Sequence, residues 1–339
     1  MKALVYTAPN KVEVQQVPDP KPEEGSVRVK MLYCGVCGTD IGIFHGKHPR
    51  AKAPLIIGHE FVGIIDQVLP GSKFKVGDRV CAYPLISCGE CVPCKTGSPH
   101  VCKTLKLLGI DCAGGMAEYC WVKEDVLFTV PDDIPDDVAA TIEPLAVVVR
   151  SVHQAEYKML DSTVVMGAGP IGILTAIVLK HSSASRIVIS DFDAARLDMC
   201  RKLGFEAVDL NKTNLVDYVA GSTDGNGVDI VFECTGSEAA AAEMTKIARI
   251  GGTLCITGVH KAPHAVNLQD LNFKEQWMIG TRVYTKAEFG RSVTLASIIK
   301  DDLKQIITQV VPLSEADKVF DMIADPAVNA VKVLVDCTK

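Results

Sequence analysis

Apolar and polar positions change rhythm near the middle of the chain. Up to about residue 145, short β-branched runs (residues 27–32, 63–68 and 78–82) are punctuated by Gly, Pro and other turn formers at near-regular spacing. Such runs predict an all-β segment. The opening Met1-Lys2-Ala3-Leu4-Val5-Tyr6-Thr7-Ala8-Pro9 reads as its first strand, because it lacks the sustained apolar stretch and small-residue cleavage pattern of a signal peptide. From about Thr163, apolar strands alternate with longer helical stretches: 164–166, a helix to Lys180, 186–190, a helix to Leu203, then 229–233, an Ala-rich helix over 238–248 and 253–257. This βαβ alternation predicts a doubly wound parallel sheet ending near residue 284. A helical pattern at 287–298, a polar patch and a closing strand at 331–335 complete the chain.

Composition narrows the picture. With 339 residues, 48% hydrophobic and 22% charged, the chain is long enough for about two packed domains and well inside the globular range. A net charge of −6 offers no long-range attraction to phosphate backbones or anionic lipid, which counts against nucleic-acid and membrane partners. The longest apolar stretch, 164–179, is broken by three glycines and Pro170 and falls short of a membrane span. The reading is a cytoplasmic protein. Its 13 cysteines are odd in number and bunched at short spacings, which favours metal ligation over disulfides.

Three motifs carry chemistry. Gly167-Ala168-Gly169-Pro170-Ile171-Gly172 follows a predicted strand and opens a predicted helix, the context in which G-x-G-x-x-G admits a dinucleotide pyrophosphate to a helix N-terminus. Asp191 closes the next strand, 24 residues after Gly167. It is placed to accept the ribose hydroxyls of NAD and to repel a 2′-phosphate, a bias that Asp193 reinforces. Cys88-x2-Cys91-x2-Cys94-x7-Cys102 supplies four thiolates on a Gly/Pro/Ser-rich loop, the donor set of a closed structural zinc site. Cys37, in Cys34-Gly35-Val36-Cys37-Gly38-Thr39-Asp40, and His59-Glu60, in Gly58-His59-Glu60-Phe61-Val62-Gly63, are weak signals separately. Together they make a thiolate, imidazole and carboxylate set that leaves one zinc position open. Cys34 is read as packing.

The order Cys37-Gly38-Thr39-Asp40, Gly58-His59-Glu60, Gly77-Asp78-Arg79-Val80, the four-cysteine loop, Gly114-Gly115-Met116-Ala117-Glu118-Tyr119, Ile142-Glu143-Pro144-Leu145 and G-x-G-x-x-G resembles the zinc-containing medium-chain alcohol and polyol dehydrogenases over nearly the whole chain. Ile142-Glu143-Pro144-Leu145 and Ser190-Asp191-x4-Arg196 are similar to the sorbitol dehydrogenase branch, with threonine and butanediol dehydrogenases as near relatives. The resemblance implies an α/β protein in which a GroES-like β-rich catalytic domain, 1–148 and 285–339, is interrupted by a Rossmann NAD-binding domain, 149–284. It further implies chemistry in a cleft between the two domains. Carried over, Cys37, His59 and Glu60 match the catalytic zinc ligands. Glu143 matches the acid that touches the zinc-bound water or takes a ligand place, and Thr39 the hydroxyl relay. Gly167, Gly169, Ile171, Gly172, Asp191 and Arg196 match the NAD loop and ribose contacts, while Thr257, Gly258 and Val259 with Thr281, Arg282 and Val283 match the nicotinamide-side backbone. Two zinc ions per chain and a homo-oligomer, tetramer or dimer, are implied as well.

The chain departs from the sorbitol pattern where substrate is met. Gly42 and Ile43 stand where the relay His and a substrate Tyr are usual, Val283-Tyr284 replaces an Arg-Tyr pair, and Arg150 replaces a His. Arg150, Lys47, His48 and Arg50 are candidates to meet an anionic group, and His45 to replace the relay. The expected reaction is therefore NAD-dependent oxidation of a secondary alcohol in a polyol or vicinal diol to a ketone. The alternatives are a butanediol- or threonine-type dehydrogenase, or oxidation of a sugar acid or phosphorylated polyol. A zinc-free quinone reductase is disfavoured by the ligand triplet. A zinc-stabilised nucleic-acid-binding module is disfavoured by the acidic balance and by the lack of a Lys/Arg cluster beside the cysteine loop.

Overall fold

The computed structural model describes residues Met1–Lys339 and divides them into two compact units, Met1–Ala146 with Tyr284–Lys339, and Val147–Val283. The first is built on a seven-stranded sheet. Along its main path, Leu127–Thr129, Arg79–Ala82, Glu60–Gln67, Ser26–Gly35, Lys332–Asp336 and Ile307–Pro312 lie side by side, and Tyr119–Lys123 also pairs with Ser26–Gly35. A smaller sheet orders Lys11–Gln16, Lys2–Ala8 and Leu55–Ile56. One register decides the site. Gly35 faces Glu60 on one side and Leu334 on the other, so the C-terminal strand returns beside the strand that Glu60 opens. A Cβ on Gly35 would collide with the Glu60 carboxylate and the Lys332 side chain, which is why no larger residue fits there.

The second unit is a six-stranded parallel sheet in the order Glu206–Asp209, Arg186–Asp191, Ser162–Met166, Val228–Glu233, Ala248–Ile256, Trp277–Gly280. Helices such as Pro170–His181 and Glu238–Ile247 join successive strands. Val164, Val188, Val231, Leu254 and Met244 pack in its core, and strands covered on both faces read as continuous apolar runs. The strand order reverses at Ser162–Met166, the topological switch point at which open α/β sheets bind ligands.

The predicted all-β segment also holds the short helices Gly38–Phe44 and Asp136–Ala139, and the helix Ile142–Gln154. Ala248 begins a strand instead of ending the Ala-rich helix. That strand starts before Thr253 because Gly251, at φ +68°, lets the backbone turn without ending the pairing. Strands Glu206–Asp209 and Ile307–Pro312 carry no clear apolar alternation, so periodicity does not predict them.

Candidate active site and metal centres

Cys37 precedes the helix Gly38–Phe44, where its backbone N–H donates to Asp40 Oδ2 at 2.9 Å. His59 follows Gly58, whose φ of +94° and whose approach to Cys34 Sγ, 2.6 Å from an added Cβ, admit only glycine. Glu60 opens the next strand. One ligand atom from each of Cys37, His59 and Glu60 lies within 4.8 Å of the others, and the His and Glu are buried. A thiolate, an imidazole and a carboxylate at that separation fit a zinc ion with an open position.

Orphaned atoms behind the triplet point the same way. His59 Nδ1 and Asp40 Oδ1 are buried without a hydrogen-bond partner and stand 3.8 Å apart, too long for a hydrogen bond. A small closing movement would make the outer bond that orients a metal-binding His. Burial pushes the His59 pKa down, but the neighbouring Asp40 and Cys37 outweigh it and hold the ring well above its ordinary value.

Two buried pairs flank the triplet. Glu60 is ion-paired with Lys332, itself only 2% exposed, whose Nζ also donates to Val36 O at 3.2 Å. Burial lowers the Lys332 pKa, and Glu60 more than restores it. Glu143, in the first turn of Ile142–Gln154, accepts a hydrogen bond from the Tyr284 hydroxyl. Burial pushes Glu143 up to about 7, against the pull of His59, with Glu60 adding to the rise. Tyr284 is fully enclosed and its ring meets Tyr83 and Phe289 edge-on or tilted.

Farther along the same unit, Cys88, Cys91, Cys94 and Cys102 bring their sulfurs together at separations of 3.4 Å (Cys91–Cys94), 3.5 Å (Cys88–Cys102), 3.8 Å (Cys91–Cys102) and 4.0 Å (Cys88–Cys94). A regular tetrahedron with Zn–S bonds of about 2.3 Å has edges of about 3.8 Å, so this cluster has the size of a four-thiolate zinc site. Backbone N–H groups of Glu90 and Cys91, each 3.4 Å from Cys88 Sγ, stabilise its thiolate and bring its pKa down to about 6.

In the second unit, Gly167 has φ +100°, and a Cβ on Gly172 would strike the Gly167 carbonyl. Gly169 caps the helix Pro170–His181 and an added Cβ there meets nothing within 4 Å. The loop thus has two glycines forced by packing and one facing open space at a helix N-terminus, a cradle that fits a pyrophosphate. Ile171 is half-buried in the first turn. Asp191 accepts from Ala168 N at 2.6 Å, Phe192 N at 2.7 Å and Asp193 N at 3.0 Å, which fixes its carboxylate beside the loop. Asp193 is chiefly a helix cap, accepting from the N–H groups of Ala195 and Arg196. The Arg196 Nε lies 3.8 Å from Asp193. Thr257 and Gly258 donate to Glu233 O at 2.9 and 2.7 Å, Thr281 donates to Ile256 O at 3.0 Å, Arg282 follows it exposed, and Val283 is held at φ +42°. Left-handed backbone is strained for a β-branched residue.

Among the substrate candidates, His45 pairs with Asn10 at the surface. Arg50 is tied to Leu105 O and lies 3.4 Å from Asp111. His48 Nδ1 accepts from Arg50 N at 3.4 Å and Ala51 N at 3.2 Å. Burial and Arg50 lower its pKa, so its neutral ring carries the proton on Nε2. Thr39 is half-buried in the first turn after Cys37.

Residues 23–132 match the alcohol dehydrogenase GroES-like domain and residues 170–298 the zinc-binding dehydrogenase domain. The chain belongs to the zinc-containing medium-chain alcohol dehydrogenases. It is 35% identical over 319 residues, 93% of both chains, to the 2-dehydro-3-deoxy-L-galactonate 5-dehydrogenase of Pseudoalteromonas atlantica. Its fold matches the 2R,3R-butanediol dehydrogenase of Bacillus subtilis with a TM-score of 0.92 at 28% identity, covering 99% of each chain. A Sinorhizobium meliloti 1021 protein described as a zinc-binding dehydrogenase and bound to NADP matches with a TM-score of 0.91 at 30% identity, covering 99% of this chain and 98% of that one. The chain is therefore an oxidoreductase of the alcohol dehydrogenase class, with a GroES-like and a Rossmann-type domain. No helix is long and apolar enough to cross a membrane.

Sequence reasoning missed three features around the Cys37, His59 and Glu60 triplet: Asp40, Lys332 and the bond from Tyr284 to Glu143. Lys332 had a signal, since a lone Lys inside the apolar run Val331-Lys332-Val333-Leu334-Val335 must find a buried counter-charge.

Proposed function

We propose that this chain oxidises a secondary hydroxyl of a polyhydroxylated small molecule, a polyol or a sugar acid, to a ketone with NAD as hydride acceptor. The observation that carries the proposal is the convergence of Cys37, His59 and Glu60 within 4.8 Å, beside a second carboxylate, Glu143, on the same unit. Zinc bound there supplies a Lewis acid that lowers the pKa of the substrate hydroxyl. Asp40 orients the His59 ring. Lys332 adds the cation that lets Glu60 and Glu143 both ionise near one thiolate and one divalent ion, since three negative charges then meet three positive ones. Glu60 serves as direct ligand, and Glu143, steadied by Tyr284, acts within water-mediated reach. Thr39 passes the substrate proton outward.

The unit Val147–Val283 is read as the cofactor domain, with Gly167, Gly169, Ile171 and Gly172 on the pyrophosphate and Asp191 with Arg196 on the adenosine ribose. Thr257, Gly258 and Val259 with Thr281, Arg282 and Val283 face the nicotinamide. Cys88, Cys91, Cys94 and Cys102 hold a second, structural zinc. Unpaired cysteines throughout support a reducing, cytoplasmic setting. Trp277, 74% exposed on an edge strand, supports assembly of like chains.

A panel of polyols, vicinal diols, sugar acids, sugar phosphates and threonine, each assayed with NAD and NADP, tests the reading. The highest kcat/KM is expected with a polyol or sugar acid and NAD; turnover of threonine alone would defeat the substrate assignment. The 35% identity to a sugar-acid dehydrogenase supports the acidic arm, with the fixed Nε2 donor of His48 available to an anionic or hydroxyl oxygen. The cofactor choice has its own check. Asp191 would confront a 2′-phosphate with a fixed carboxylate, so Asp191→Ala is expected to narrow the NAD:NADP ratio of kcat/KM by about tenfold or more. A wild-type ratio favouring NADP would overturn the assignment.

A further inference from the structure

The loops that follow strands Val228–Glu233 and Ala248–Ile256 are knitted together by one carboxylate. Glu233 is fully buried. Its Oε1 accepts from Thr235 N at 2.7 Å, from Gly236 N at 2.9 Å and from the Thr235 hydroxyl, and its Oε2 pairs with His260 Nε2 at 3.0 Å. The same residue's carbonyl receives the N–H groups of Thr257 and Gly258. Packing between the loops leaves no slack: a Cβ on Gly236 would sit 2.5 Å from Val259 O, and one on Gly258 would overlap Gly236 N.

A buried carboxylate is a poor source of net stability compared with an apolar group of the same size. What it does here is fix the height of a loop. His260 suits that task in both charge states, since Nε2 can donate to Glu233 in the neutral ring and in the imidazolium. Its other nitrogen, Nδ1, is buried without a hydrogen-bond partner, and its ring lies edge-on to His264 with the ring centroids 5.2 Å apart. Val259, next to His260, leaves its side chain 82% exposed.

We propose that His260 is a positioning residue for the nicotinamide half of the cofactor: through Glu233 it holds Thr257, Gly258 and Val259 at the level at which they meet the ring, and so sets affinity for NADH. The inference rests on the reading above that these three residues face the nicotinamide. It predicts that the adenosine half is bound independently of His260.

The test uses the full-length zinc-loaded chain, with NADH binding followed by dihydronicotinamide fluorescence and AMP binding by competition. His260→Phe keeps the ring against His264 but deletes the donor; His260→Gln keeps a donor at the reach of Nε2. For His260→Phe the NADH Kd is expected to rise about tenfold or more, the value of one hydrogen bond to a charged group, with AMP affinity changed less than about twofold. His260→Gln is expected to lie within about threefold of wild type for NADH. An NADH Kd for His260→Phe within twofold of wild type, equal weakening of AMP and NADH, or a Gln variant as weak as Phe would each overturn the proposal. A wild-type chain that binds AMP but not NADH would overturn the nicotinamide reading together with it, whereas wild-type NADH binding with an unaffected Phe variant would sink this inference alone.

Discussion

Replacing Cys37 with alanine is expected to lower kcat/KM by about 10³-fold or more, while the melting temperature stays within a few degrees of wild type. The magnitude follows from the chemistry assigned to the site. Lewis-acid stabilisation contributes several kcal/mol to the transition state, and each 1.36 kcal/mol is about a factor of ten in rate. Cys37 supplies the one thiolate among the three donors, so its loss leaves His59 and Glu60, with Glu60 already committed on one side to Lys332. The fold has little reason to respond, because Cys37 is half-buried and precedes a helix of only seven residues. Steady-state kinetics and metal analysis of the same preparation decide the matter: turnover within tenfold of wild type at one zinc fewer per chain would show that the triplet is not the reacting centre. Cys112→Ser, at a half-buried thiol outside both cysteine groups, serves as the control and is expected to keep activity.

What the chain discloses in advance, and what it withholds, follows the range of the forces involved. The Rossmann strands around Val164, Val188 and Val231 announce themselves because a sheet covered on both faces demands uninterrupted apolar runs. The Gly167 to Gly172 loop does so because its constraints include local ones, the positive φ of Gly167 and the approach of Gly172 to the Gly167 carbonyl. The four cysteines are legible for a similar reason, since short spacing on one loop places four sulfurs close together whatever the rest of the fold does. Lys332 is different. It lies 272 residues from Glu60 in sequence, and only the register of three strands brings the two together. The Tyr284–Glu143 bond spans 141 residues and is equally silent in a linear reading. Edge strands such as Ile307–Pro312 also escape detection, because Ile307-Thr308-Gln309-Val310-Val311-Pro312 shows no regular alternation and its pairing with Lys332–Asp336 completes the order. Asp193 adds a role that a linear reading does not show: its carboxylate also caps the helix Ala194–Lys202.

Substitution of Cys91 by serine is expected to act on stability where Cys37→Ala acts on rate. The cysteine lobe has no apolar core of its own: Val92 is 75% exposed, Cys88 is exposed, and the helix Val92–Lys95 is a single turn with no buried residue. Four residues of helix are far too few to persist alone. Order in the lobe must then come from the sulfurs and what they bind, so that binding free energy at this site is folding free energy. Cys91 makes two of the short sulfur separations, to Cys94 and Cys102, and receives the N–H of Lys103 at 3.5 Å, so its removal takes away one of the four vertices of the tetrahedron. Zinc content is expected to fall from two ions per chain to about one, the melting temperature by roughly 5–10 °C, and limited proteolysis to cut anew between residues 88 and 103. Intrinsic chemistry should survive in the fraction that remains folded, with kcat per bound catalytic zinc within about threefold of wild type. A variant that kept two zinc ions and resisted protease like the wild type would show that the lobe is ordered by its own packing, and a variant that lost turnover per remaining zinc would show that the two metal centres are not separate in role.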